Sequence, residues 1–236
     1  MKNQVLTLLN GESISYLLEH RARRTVGLKI TENGLVVHAP KRIFAFQLNQ
    51  ILQNKSSWIL SKLQDRAANQ VEKMAWIDGE RLHYLGHTIH LQILENSSNK
   101  SLHFEANRLT LATPRPNNCA LISRKVIAWY KKNAAIDFNR RLEILAAKLN
   151  VNAPPLTLSN AKSRWGSCNS RGEVRLNWRL LQAPPHIINY VICHELAHLK
   201  EMNHSTKFWA VVEQLFPDYK LAEKELKALS PQLHRL

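Results

Sequence analysis

Pro184-Pro185-His186-Ile187-Ile188-Asn189-Tyr190-Val191-Ile192-Cys193-His194-Glu195-Leu196-Ala197-His198-Leu199 is the stretch from which the rest of the chain is read. Proline is well tolerated in the first turn of a helix, so the Pro184-Pro185 pair sets a start, and the spacing predicts a helix from about His186 to about Met202. His194 and His198 are four residues apart and share a face, so both imidazoles can point at one metal ion. Glu195 stands about 100° further round the axis. There it can take a proton from a metal-activated water without being a ligand. Val191, Ile192, Leu196 and Leu199 make the flanks apolar, as a rigidly held site requires.

A third imidazole, His204, follows Asn203, a residue that tolerates the left-handed turn needed to end the helix and swing the next side chain back. Three protein ligands with an open position describe a catalytic zinc site, whereas a structural one fills all four. The expectation is therefore one zinc ion held by His194, His198 and His204. Glu195 is the expected general base of a hydrolase, and a peptidase is the first choice. Two carboxylates compete for the third position, Asp218 twenty residues after His198 and Glu213 on the next helical stretch; His204 is favoured over both. The metzincin pattern is excluded, because Glu201 stands where it needs Gly and no Met follows Met202.

Upstream, the chain reads as β-rich. Ser13–Leu18 and Thr25–Ile30 alternate like strands, Glu32-Asn33-Gly34 signals a turn, and Leu35–His38 continues. One helix follows Pro40, with Ile43, Leu48, Ile51, Leu52, Ile59 and Leu63 on its apolar side. Glu80–Leu85, His87–Leu94, Leu102–Glu105 and Leu109–Ala112 form a second β-rich stretch around the polar loop Asn96-Ser97-Ser98-Asn99. A long helix is expected over about 119–149. Then come strands at Leu156–Leu158 and Glu173–Asn177, and a last helix from about Ser205 to Leu215, stopped by Pro217. Asn33–Pro40 and Asn107–Pro114 share the pattern Asn-x-Leu-x-apolar-x-small-Pro, a weak internal repeat. The division expected is a β-rich region with one helix over 1–118 and a metal-binding domain over 119–236.

The whole chain of 236 residues has ordinary composition, 44% apolar and 22% charged. No run is long and apolar enough to span a membrane, and the start is too weakly apolar for a signal peptide. Cys119, Cys168 and Cys193 suggest a reducing compartment, with the cytoplasm as default. Lys and Arg total 33 against 18 acidic residues, a net charge of +15 spread along the chain rather than gathered in a tail. Such a field attracts polyanions, nucleic acid among them, although no helix-turn-helix, zinc ribbon or Arg-rich segment accompanies it.

Arg164-Trp165-Gly166-Ser167-Cys168, Leu176-Asn177, Tyr190-Val191, His194 through Leu199, Asn203-His204-Ser205 and Phe208-Trp209 together resemble the YgjP-like (WLM-related) zinc metallopeptidases. Gly27-Leu28-Lys29-Ile30, Ala39-Pro40, Tyr84-Leu85-Gly86 and Trp129-Tyr130 fit the same family more weakly. The resemblance implies an α+β fold, with a β-rich N-terminal part followed by a minimal zincin-like domain. It also implies His194, His198 and His204 as ligands and Glu195 as base, without defining the physiological substrate; a peptide or protein is the expectation from the site itself. The related SprT-like proteases share this arrangement and act on proteins crosslinked to DNA. A nucleic-acid-associated protein, either such a protease or a basic module with a vestigial zinc site, is thus the alternative reading. Trp165 and Trp178 read as packing residues, Tyr190 as support near the site, and Phe208 and Trp209 as pins for the following helix. Glu173–Asn177 or Arg164–Cys168 could offer a strand edge to a peptide.

Overall fold

The computed structural model describes residues 2–8, 11–31, 33–68, 72–95 and 102–236. Glu32 of the expected turn and the loop Asn96-Ser97-Ser98-Asn99 lie outside the described residues. The chain divides into two compact units, Met1–Gln70 and Val71–Leu236.

In the first unit, strands β1 (Lys2–Thr7), β2 (Ser13–Arg21), β3 (Gly27–Thr31) and β4 (Gly34–Pro40) form one sheet in the order β1-β2-β4-β3. β2 and β4 run parallel at its centre and the outer pairs are antiparallel. Alternation assigns the faces. Ile14, Tyr16 and Leu18 of β2 and Leu35, Val37 and Ala39 of β4 are buried under helices α1 (Ala45–Asn54) and α2 (Ser56–Ala68), with Leu48, Leu52 and Ile59. The sequence pattern implied one helix here. The helix breaks at Lys55, between Asn54 and Ser56, whose short polar side chains compete with helical backbone bonding.

The second unit repeats this plan. Strands β5 (Arg81–Tyr84), β6 (His87–Glu95), β7 (Leu102–Glu105) and β8 (Arg108–Thr113) are ordered β5-β6-β8-β7, with β6 and β8 parallel. The Asn-x-Leu repeat is the sequence trace of this match. Leu35, Val37 and Ala39 are buried in β4 as Leu109, Leu111 and Thr113 are in β8, and Pro40 and Pro114 end both segments. The second sheet lies under α3 (Cys119–Lys148), which is capped by Asn118, whose Oδ1 accepts from the Leu121 amide at 2.9 Å. Ile122, Val126, Tyr130, Ala134, Phe138, Leu142 and Leu145 line the buried face of α3 in a common core with Leu82, Ile89, Leu91, Leu109 and Leu111. The join expected at 118/119 thus falls inside the second unit. Phe138 is fully buried on this helix, so Phe138→Ala should lower stability by about 3–5 kcal/mol in a denaturant titration.

A small sheet of β9 (Leu156–Ser159), β10 (Gly166–Cys168) and β11 (Val174–Asn177) follows in the order β10-β11-β9. A 3₁₀ turn, Trp178–Gln182, leads to α4 (Pro185–Ala197), then α5 (Thr206–Leu215) and α6 (Tyr219–Leu233). The α+β class expected from sequence holds. α4 is shorter than its apolar pattern suggested. From Leu199 the backbone bonds turn to three-residue closure, Leu199 to the Leu196 carbonyl and Lys200 to that of Ala197, both at 3.0 Å, and the chain turns away. α6 had no place in the sequence reading. Its buried Tyr219, Ala222, Leu226 and Leu233 keep helical spacing, but Pro217 before it and Pro231 within it obscured the pattern.

Candidate metal centre

α4 starts at a proline and buries Ile187, Ile188, Val191, Ile192, Leu196 and Ala197 in the core of the second unit. That anchoring leaves the His194, Glu195 and His198 side chains at one end of the helix. The turn after α4 returns His204, and Ser205 caps α5 through its Oγ, which accepts from the Phe208 amide. Among the described residues, His194, His198 and His204 form the cluster that could hold a metal ion, with ligand atoms all within 4.8 Å of one another. Neither Asp218 nor Glu213 joins it. Asp218 stands at the start of α6, and Glu213 is exposed on α5.

The donor geometry fits a small tetrahedral ion. Zinc–imidazole bonds of 2.0–2.1 Å place adjacent nitrogens of a tetrahedron roughly 3.3 Å apart, and the Nε2 atoms of His194 and His204 face each other at 3.1 Å. His198 turns its Nδ1 to the Glu201 carbonyl at 3.2 Å, where only a protonated Nδ1 can donate, so Nε2 keeps its lone pair for a metal. Nothing in the sequence pointed to this carbonyl, because its position depends on where the helix ends. Phe208 is fully buried and packs against all three imidazoles, with centroid distances of 5.0, 4.5 and 4.7 Å to His194, His198 and His204. Trp209 meets His194 edge-on, lies tilted by 36° against His204 and stacks on Tyr219 at 5.2 Å. The two aromatic residues therefore do more than pin α5; they fix the ring planes of the cluster.

Electrostatics suit neutral ligands. Burial, and then the neighbouring His198 and His204, push the His194 imidazole down to about 4, so it stays uncharged at neutral pH. Glu195 is 5% exposed, and burial pushes its carboxyl up to about 8, against the opposing pull of the Arg164 guanidinium. A carboxylate so placed is short of charge compensation, and a bound dication would supply it. Burial raises the Cys193 thiol to about 12 and, with the Glu195 charge, raises that of Cys168, in keeping with inert thiols.

β10 passes directly over Glu195. A Cβ on Gly166 would sit 2.3 Å from Glu195 Oε1, so the strand can lie here only without a side chain. Trp165 beside it is tied down by its Nε1, which donates to Ser230 Oγ at 2.9 Å, and by stacking on His234 at 4.5 Å. The Arg164-Trp165-Gly166 run was thus visible in sequence, but its contact with Glu195 was not. Trp178, 1% exposed, is a packing residue as expected, donating to Asn160 Oδ1 at 3.1 Å. Tyr190 edges His194 at 6.2 Å, and burial raises its phenol. His87 and His90 stand exposed on β6, away from any such grouping among the described residues.

The model of the YgjP-like metallopeptidase domain matches residues 24–229. Among solved structures, the metallopeptidase zymogen abylysin of Pyrococcus abyssi is 27% identical over 39% of this chain and 92% of its own, with a TM-score of 0.37. The metallopeptidase zymogen jannalysin of Methanocaldococcus jannaschii is 25% identical over 39% of this chain and 93% of its own, with a TM-score of 0.34. No curated protein matches the chain.

Proposed function

The chain belongs to the YgjP-like metallopeptidase family, and on that footing we propose that it is a zinc-dependent peptidase with His194, His198 and His204 as ligands and Glu195 as general base. The convergence of three imidazoles within 4.8 Å beside a buried carboxylate carries this reading. Zinc bound there would supply a Lewis acid that acidifies water and polarises the scissile carbonyl. The chain's own groups do the rest. The Glu195 carboxylate accepts a proton from the attacking water and delivers it to the leaving amine nitrogen. The buried helix and β10, which passes over Glu195 at Gly166, keep bulk water from the base, and the His198–Glu201 bond holds one ligand in its metal-binding tautomer. The substrate we propose is a peptide or protein. The three free cysteines favour a reducing compartment, hence the cytoplasm. Among the described residues no helix is long and apolar enough to cross a membrane.

Metal analysis and X-ray absorption of the purified chain test the reading. The expected result is one zinc per chain with three nitrogen neighbours at about 2.0–2.1 Å and a light-atom fourth. His204→Ala should weaken zinc binding by roughly 100-fold or more in a chelator competition. Four protein donors, or undiminished affinity in the variant, would overturn the assignment.

A further inference from the structure

Helices α1 and α2 cover one face of the first unit's sheet; on the other, Asn3, Val5, Ser13, Ser15 and Lys29 are exposed while Val36 is buried at 9%. Cross-strand partners share a face. Glu19 pairs with His38, and Lys29 with Val36, so β2, β3 and β4 present Glu19, Arg21, Lys29 and His38 away from the buried Val37 and Leu18. Arg23 joins them, since its guanidinium lies against Gly27, the partner of His38, where a Cβ would be 2.4 Å from it. Arg21 stands opposite Pro40 at the end of the parallel pair, so Arg24 beyond β2 and Lys41 and Arg42 beyond β4 emerge at the same end of the sheet. These three and Lys29 are exposed. Glu19, the carboxylate on this face, is already engaged by Arg21 at 2.6 Å and His38 at 3.2 Å. Residues that look scattered in sequence are thus gathered by strand pairing into a track of six cations.

We propose that this face binds the phosphodiester backbone of a nucleic acid strand. Glu19 offsets one of the six, and the net excess of five positive charges on and at the end of one small sheet is relieved by a polyanion. The uncharged exposed residues of the face are Asn3, Thr7, Ser13 and Ser15, which suit phosphate and sugar oxygens. Val5 is the large apolar side chain exposed on the face, at 63%, with Leu17 half-buried and Val36 buried beside it, and the exposed Phe44 and Phe46 follow Arg42 at the end of the track, where aromatic rings suit stacking on bases. The site lies outside the imidazole cluster, so it is a second binding function and does not rest on peptidase activity.

The test is fluorescence anisotropy of labelled 20-nucleotide single-stranded RNA and DNA with the full chain across a salt series. R24A/K29A/K41A/R42A removes four exposed cations that make no hydrogen bond or ion pair among the described residues. It should bind at least tenfold more weakly. Each phosphate left unneutralised removes roughly 0.7 from the slope of log affinity against log salt, so the slope should be shallower by about 3. R124A/K125A/K132A/K227A removes the same charge from exposed positions of the second unit and should bind like wild type. K41E/R42E, confined to the turn after β4, repeats the test should the fourfold variant fail to fold. A relative preference between the RNA and the DNA strand identifies the natural source of the backbone. Equal weakening by both fourfold variants, no binding by wild type at low salt, or tighter binding to phosphatidylserine vesicles or polyglutamate than to either oligonucleotide would overturn the proposal.

Discussion

Replacing Glu195 with glutamine should leave zinc bound and the fold intact while lowering peptide hydrolysis by about 10²–10⁴-fold, the usual contribution of a general base. The amide keeps the shape of the carboxyl, so the contact with Gly166 and the packing of α4 are preserved. It removes only the ability to accept and pass on a proton. The three imidazoles are untouched, so metal content separates this outcome from a collapsed site. A second readout comes from pH. In the metal-free protein, burial raises the folded-state pKa of Glu195 from 4.5 to about 8. Between those values the unfolded chain has lost the proton that the folded chain keeps, so wild-type stability declines as pH rises through that window. Glutamine has no proton to lose. Melting measured in chelator should therefore show the variant gaining on wild type from about pH 4.5 to about pH 8. A variant as active as wild type, after removal of contaminating protease, would sink the general-base assignment, and an unchanged melting difference would sink the burial argument.

How much of this was legible in the sequence depends on how local each feature is. The imidazole cluster reads directly, because His194, His198 and their helix obey a spacing rule within one element, and His204 follows after a single turn. Most strands of the two four-stranded sheets read well for the same reason, since alternation in Ser13–Leu18 or Leu109–Ala112 is local, whereas β1 (Lys2–Thr7), an edge strand, had no place in the reading. The duplicated plan left only eight residues of shared pattern in each copy, at the strand whose Leu, apolar and small positions meet the covering helix. What escaped is non-local or defined by helix ends. The break at Lys55, the early end of α4 and the Glu201 carbonyl all depend on where a helix stops, which propensity places poorly. The cation track depends on strand order, since Arg21 and the residues after Pro40 come to the same end of the sheet only when β2 pairs in parallel with β4. The join expected at 118/119 missed that α3 shares its core with the sheet before it. A long helix after a β-rich stretch resembles the opening of a new domain when only composition is compared.

Gly166→Ala should lower peptide hydrolysis by about 100-fold or more without removing the metal ligands. The added methyl would sit 2.3 Å from Glu195 Oε1, 2.6 Å from its Cγ and 2.7 Å from its Cδ, each well inside contact distance. On an exposed residue the carboxyl would swing aside at little cost. Glu195 is 5% exposed in a packed helix, so few rotamers are open to it. Nor can the strand retreat easily. β10 is paired along its length with β11, and Trp165 next to Gly166 is held by Ser230 and His234. The strain therefore falls on the position of the base, and a displacement of about 1 Å in a catalytic group is enough for a 100-fold loss. The imidazoles are fixed independently by Phe208, Trp209 and the Glu201 carbonyl, so zinc affinity should change much less than turnover. The decisive comparison is turnover against zinc affinity in one preparation. Equal losses in both would mean that β10 supports the whole site, while unchanged turnover would mean that the carboxylate moves freely and the glycine is not needed to place it.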